Sequence, residues 1–125
     1  MKYLGIDFGL RKIGLAISEG TLASPWQILE VKNFADSVDK VLKVVEEGKF
    51  QKIIVGLPEG KMGKNVKGFI KALEKNGISV EFADETLSSQ KAKQTMILQG
   101  TSKKKRRLED AYSAAEILQN YLDSR

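Results

Sequence analysis

The sequence predicts a layered α/β fold on a five-stranded mixed sheet, and three observations lead there. The chain opens with two apolar runs separated by a short polar turn. Two further apolar runs of strand length then alternate with segments of helical periodicity, the pattern of parallel strands joined by crossover helices. The 125 residues are enough for one domain to bury most of its apolar surface without disulfides or a structural metal.

Tyr3 to Phe8 and Ile13 to Ser18 are rich in Leu, Ile and Ala, and Gly9-Leu10-Arg11-Lys12 between them reads as a hairpin turn. A third short strand is expected from about Trp26 to Val31, after a break at Pro25. Val38, Val41, Leu42 and Val45 then fall at i, i+3, i+4 and i+7, so a helix from about Asp36 is expected to end at Gly48. Lys52 to Pro58 ("KIIVGLP") is a continuous apolar run stopped by Gly and Pro, as a buried parallel strand would be. Val66, Phe69, Ile70 and Leu73 repeat the helical spacing, closed by Asn76-Gly77. Ile78 to Ala83 alternates as a fifth strand. A polar helix is expected over Ser88 to Leu98, a basic loop over Gly100 to Arg107, and a last helix from about Leu108 to Leu122. An antiparallel meander followed by right-handed crossovers gives a mixed sheet with helices on both faces. That is the strand order of the ribonuclease H-like fold, expected here as a single domain over residues 1–125.

Composition narrows the chemistry. There is no cysteine, which suits a reducing cytoplasm and excludes thiolate zinc sites and a cysteine nucleophile. Histidine is absent as well, so the usual neutral-pH base and commonest metal ligand are missing. Hydrolysis must then rest on carboxylates, lysines, hydroxyls or a bound metal. The formal net charge of +5 favours an anionic partner, nucleic acid first, although a lysine- and glutamate-rich surface also serves solubility. No apolar run approaches a membrane span. A soluble cytoplasmic protein is expected.

Acids stand at three places that such a fold could bring together. Asp7 interrupts the apolar first strand; Asp84 and Glu85 lie where the fifth strand runs out; Glu109 and Asp110 open the last helix. Asp84 also reads as a cap or turn residue, and Glu109 as a solvated first-turn acid. Asp7, flanked by Ile6 and Phe8, is costly to bury unless a cation compensates it. Several converging acids without histidine suit phosphodiester hydrolysis with Mg²⁺ or Mn²⁺, hard ions that prefer carboxylate oxygen. Gly9 would let a phosphate approach the backbone beside Arg11 and Lys12, or simply permits the turn. Lys103, Lys104, Lys105, Arg106 and Arg107 form either a solvated loop or a sequence-independent grip on backbone phosphates.

Four motifs, "GIDFGLRKIGLAIS" (Gly5 to Ser18), "IIVGLPEG" (Ile53 to Gly60), "DETLSSQKA" (Asp84 to Ala92) and "EDAYSAAEILQNYL" (Glu109 to Leu122), together resemble the YqgF/RuvX family. These are Holliday-junction resolvase-like proteins, also described as nucleases for the 5′ end of precursor 16S ribosomal RNA. The resemblance runs nearly end to end and implies a metal-dependent nuclease whose catalytic and metal-binding acids are Asp7, Glu85 and Asp110. Two departures stand out. Thr86 replaces the arginine usual after the Asp-Glu pair, a role open to Arg106 or Arg107. Glu59-Gly60-Lys61-Met62-Gly63-Lys64 replaces a shorter Asp-Gly turn, leaving Glu59 as a rim acid or a loop residue.

The expected activity is therefore cleavage of structured nucleic acid, foremost the 5′ end of precursor 16S rRNA. A junction resolvase on four-way DNA needs the same chemistry with paired sites, and the sequence leaves monomer and homodimer open. An ATP-binding protein of the actin type shares the Gly-Ile-Asp-x-Gly hairpin, but clamps nucleotide between two such domains where this chain has residues for one.

Overall fold

The computed structural model describes residues 1–57, 62–84 and 109–124. Five strands, β1 (Tyr3–Asp7), β2 (Lys12–Ser18), β3 (Ser24–Glu30), β4 (Lys52–Leu57) and β5 (Val80–Asp84), form one sheet in the order β3-β2-β1-β4-β5. β2 is antiparallel to both β1 and β3, whereas β4 is parallel to β1 and β5. Three helices are described: α1 (Phe34–Gly48), α2 (Met62–Lys75) and α3 (Glu109–Asp123). The expected mixed sheet with helices on both faces is observed. The polar helix over Ser88 to Leu98 and the basic loop over Gly100 to Arg107 lie outside the described residues.

Strand alternation divides the core in two. Leu4, Ile6, Ile13, Leu15, Ile53 and Val55 face α1 and α2, packing with Val38, Val41, Val66, Phe69 and Leu73. On the opposite face Tyr3, Ala16 and Ile54 meet Ala114, Ile117, Leu118 and Leu122 of α3. On this face Gly5 and its ladder partner Ala16 are small, so α3 sits close to the sheet backbone there. A Cβ on Gly5 would lie 2.8 Å from Leu118 Cβ and 3.0 Å from the Ala114 carbonyl oxygen.

Three elements start two residues away from the sequence expectation. β3 starts at Ser24 and contains Pro25, paired with Ala16, with a register shift between Leu15 and Ala16. Pro25 is no break because β3 is an edge strand, where a missing N–H is tolerated. α1 starts two residues before Asp36, since Asn33 is extended and its Oδ1 accepts the Asp36 N–H at 2.8 Å. At its other end α1 closes at Gly48 as expected, with Lys49 in the left-handed conformation at φ 53° as its cap. β5 begins at Val80 because the preceding residues finish α2: Gly77 has φ 81°, its N–H reaches the Glu74 carbonyl, and the Ile78 N–H reaches that of Leu73.

Candidate active-site edge

The sheet register shows how an apolar strand carries Asp7. Ile6 is fully buried and Phe8 is 5% exposed, its ring 4.7 Å from that of Phe69 on α2. Asp7 alternates with Tyr3 and Gly5 and therefore lies on the α3 face, where it is half-buried and pairs with Gly14 of β2. The neighbouring apolar residues are spent on one face; the carboxylate is delivered to the other.

Asp7 is the last residue of β1, and the parallel strands end with it. Leu57 closes β4 and Asp84 closes β5, and the two are partners in the ladder. Two strand spacings separate β1 from β5, about 10 Å. That gap suits carboxylates sharing one or two cations.

α3 runs antiparallel to β1. Tyr121 packs on Tyr3 with ring centroids 6.4 Å apart, while Ala114 and Leu118 lie over Gly5. From Gly5, two residues along the strand reach Asp7, about 6.6 Å away. From Ala114, four residues back along the helix reach position 110, about 6 Å away. The first turn of α3, holding Glu109 and Asp110, therefore comes to the same edge as Asp7.

Other contacts fix the seat of α3. Gln119 accepts the Ala23 N–H at 2.9 Å and donates to the Thr21 carbonyl at 2.9 Å, tying the helix to the loop before β3. At the far edge of the sheet Lys52 Nζ lies 3.1 Å from Glu81 Oε1 and 5.7 Å from the Tyr121 ring centroid. The Tyr121 hydroxyl, and after it Lys52, hold the Glu81 carboxyl below its ordinary range; the same hydroxyl, and after it Glu81, raise Lys52.

The hairpin turn stands at the acid-bearing edge because it follows β1 directly. Leu10, Arg11 and Lys12 are exposed, and the Arg11 carbonyl accepts the Val31 N–H at 2.9 Å. Gly9 has a demonstrable structural role, since a Cβ there would overlap the Lys12 carbonyl oxygen. Glu59, Glu85, Thr86 and Lys103 to Arg107 lie outside the described residues. Among the described residues no group of three or more acidic side chains is arranged to hold a metal. Of the three expected ligands only Asp7 has a described side chain; its oxygen donors, in a chain without histidine or cysteine, fit a hard divalent cation. Sequence reasoning missed Gly5 and Gln119 as the residues that seat α3. A glycine inside a strand is itself a sign of close backbone approach, and could have flagged the first. No described helix is long and apolar enough to cross a membrane.

Comparison with known proteins agrees with this geometry. Fowlpox virus resolvase bound to substrate Holliday junction DNA superposes with a TM-score of 0.67 at 13% identity, covering 99% of this chain and 98% of that one. RuvC of T. thermophilus with its Holliday junction substrate gives 0.62 at 16% identity, covering 99% and 96%. These likenesses establish the ribonuclease H-like fold. A protein of Natranaerobius thermophilus named "Putative pre-16S rRNA nuclease" is 35% identical over 133 aligned residues, covering 98% of this chain and 94% of its own length. One of the same name from Dictyoglomus thermophilum is 33% identical, with 99% and 96% covered. The family model described as "RuvX: Holliday junction resolvase" matches residues 1–124. The expected nuclease family is thereby borne out, and the chain belongs to the RuvX family.

Proposed function

We propose that the chain is a metal-dependent nuclease of one ribonuclease H-like domain over residues 1–125, which cleaves structured RNA and foremost the 5′ end of precursor 16S rRNA. The observation that carries this reading is the arrival of Asp7, the end of β5 and the first turn of α3 at one sheet edge. Asp7, Glu85 and Asp110 would hold one or two Mg²⁺ or Mn²⁺ ions. When bound, such ions would supply Lewis acidity toward a phosphoryl oxygen and would lower the pKa of a water, so that it can lose a proton and serve as the nucleophile toward phosphorus. The three carboxylates bind the ions and set their spacing. The exposed Arg11 and Lys12 turn orients the phosphate backbone, assisted by Lys103 to Arg107.

The names of the curated relatives favour RNA. The test is Asp7→Asn, assayed on a fluorescent precursor-16S fragment with Mn²⁺. Cleavage should fall by about 100-fold or more while nucleic-acid binding and the melting temperature persist. Full activity in that variant rejects the site.

A second reading is resolution of four-way DNA, favoured by the description of the matching family model. It requires two active sites, hence a homodimer, and symmetric paired nicks on a synthetic junction. Unpaired nicks, or cleavage of the RNA alone, reject it.

A further inference from the structure

The solvent-facing charges of the two helices on the α1/α2 face are distributed unequally. α1 carries Asp36, Asp39, Glu46 and Glu47 beside Lys40 and Lys43, and Lys40 is paired with Asp36 at 3.4 Å. α2 carries Lys64, Lys67, Lys71 and Lys75 with Glu74 alone against them, and all four lysines are exposed. Their spacing of three, four and four residues places them in one stripe along the helix. None is in an ion pair among the described residues. The first turn of α2 holds no acid, and Lys64 occupies it, the end where the helix dipole disfavours a cation. Helix stability does not account for that choice.

The stripe has a definite relation to the acid-bearing edge. α2 must return the chain from the end of β4 to the start of β5, so its first turn lies at the edge where Asp7 and Leu57 end their strands. From there the lysines lead away along the outside of the molecule for about 16 Å. Lys67 and Lys71 also line a groove of about 260 Å³ between α2 and β5, together with Ile70, Glu74 and Phe82. Phe82 is 62% exposed, which leaves an apolar ring open beside two cations. Cations along a track with an aromatic ring at its side are the elements of a single-strand platform, on which phosphates meet the charges and a base stacks on the ring.

We propose that Lys64, Lys67, Lys71 and Lys75 form a track for the phosphate backbone of a single-stranded segment of the substrate, one base of which stacks on Phe82. This rests on the nuclease reading and adds the path by which the strand leaves the cleavage edge. The track reads charge and spacing, so it is indifferent to base sequence.

The experiment measures binding of a fluorescent 20-nucleotide single-stranded RNA in EDTA, as log Kd against log salt concentration. Replacing all four lysines (Lys64→Gln, Lys67→Gln, Lys71→Gln, Lys75→Gln) should flatten the slope by about 3, since each phosphate contact on a single strand contributes about 0.7. Phe82→Ala should weaken binding about tenfold without changing the slope. Lys40→Gln with Lys43→Gln on α1 should leave both unchanged. Circular dichroism confirms that each variant is folded. An unaltered slope in the α2 variant overturns the track, as does equal flattening by the α1 pair, which would make the effect one of bulk charge. An unaltered Kd in Phe82→Ala overturns the stacking contact. If the parent protein binds the RNA normally and Asp7→Asn abolishes cleavage, these failures leave the nuclease reading standing; a parent that binds no nucleic acid overturns both.

Discussion

Gly5→Ala is the sharpest test of how the fold builds the edge. The new Cβ would sit 2.8 Å from Leu118 Cβ and 3.0 Å from the Ala114 carbonyl oxygen, against an ordinary carbon contact near 3.5–4.0 Å. Both opposing atoms are backbone or directly attached to it, so rotamer change gives no escape. α3 must lift from β1 by about 1 Å. Overpacking of this kind costs about 1–3 kcal/mol. Replacing glycine returns about 0.4–1 kcal/mol through a less flexible unfolded chain, which is the smaller effect. A net loss of about 1–2 kcal/mol lowers the melting temperature by roughly 4–8 °C in a domain of this size. The same lift displaces position 110 relative to Asp7, and a misplacement of about 1 Å costs on the order of 100-fold in rate where chemistry depends on alignment. Cleavage of the precursor RNA fragment, assayed at least 15 °C below the melting transition, should therefore fall far more than the folded fraction. Leu122→Ala serves as the control, since it destabilises α3 at its other end without touching the Gly5 contact. An unchanged melting temperature in Gly5→Ala would refute the direct seating of α3 on β1. A rate loss no greater than that of the control would refute the link from that seat to the active edge.

Three further outcomes are expected. Asn33→Ala removes the side chain that receives the Asp36 N–H and should cost about 1 kcal/mol, read as a lower urea midpoint at constant m-value. The Lys32 N–H, and after it the Lys40 ammonium, hold the Asp36 carboxyl below its ordinary 3.8, so its contribution is complete above that pH and lost below it; the melting temperatures of the parent and Asp36→Asn should converge as pH falls below 3.8. Glu81 is lowered from 4.5 and Lys52 raised from 10.5, so their mutual support is present between those values, disappears in acid as Glu81 protonates and in strong alkali as Lys52 deprotonates. The deficit of Glu81→Gln in melting temperature at pH 7 should shrink progressively as pH falls below 4.5, whereas a deficit that stays constant would show that charge is not the cause.

The strands were legible because periodicity reports burial, and burial is what a central strand does. Ile53, Ile54 and Val55 read as a continuous apolar run since both faces of β4 are covered, one by α2 and the other by α3. The ends were less legible because caps and edges decide them. Pro25 reads as a break in one dimension; only the sheet order shows that it stands on an edge, where it is harmless. Lys49 in a left-handed cap leaves no trace in composition, since glycine is the usual sign of that conformation.

The candidate site was legible in a different way. A carboxylate between Ile6 and Phe8 is anomalous in a one-dimensional reading, and the anomaly disappears once alternate residues are assigned to opposite faces. What remains is a half-buried acid two residues from Gly5 on the α3 face, the face covered by the helix that carries Asp110. The opening hairpin alone fitted an ATP-binding protein equally well. Against that protein stood the room for one such domain where an actin-type protein needs two, and four motifs in order pointed to the nuclease family. The proposed site would draw its acids from the end of β1 (Asp7), the sequence just after β5 (Glu85) and the first turn of α3 (Asp110), positions separated by up to about a hundred residues. Moving any of them to the opposite end of its element would leave composition and strand pattern intact and place it across the sheet from the others, about 15 Å away for a five-residue strand. Hydrolysis at the proposed site would therefore depend on where each acid stands along the chain, and not on its presence alone.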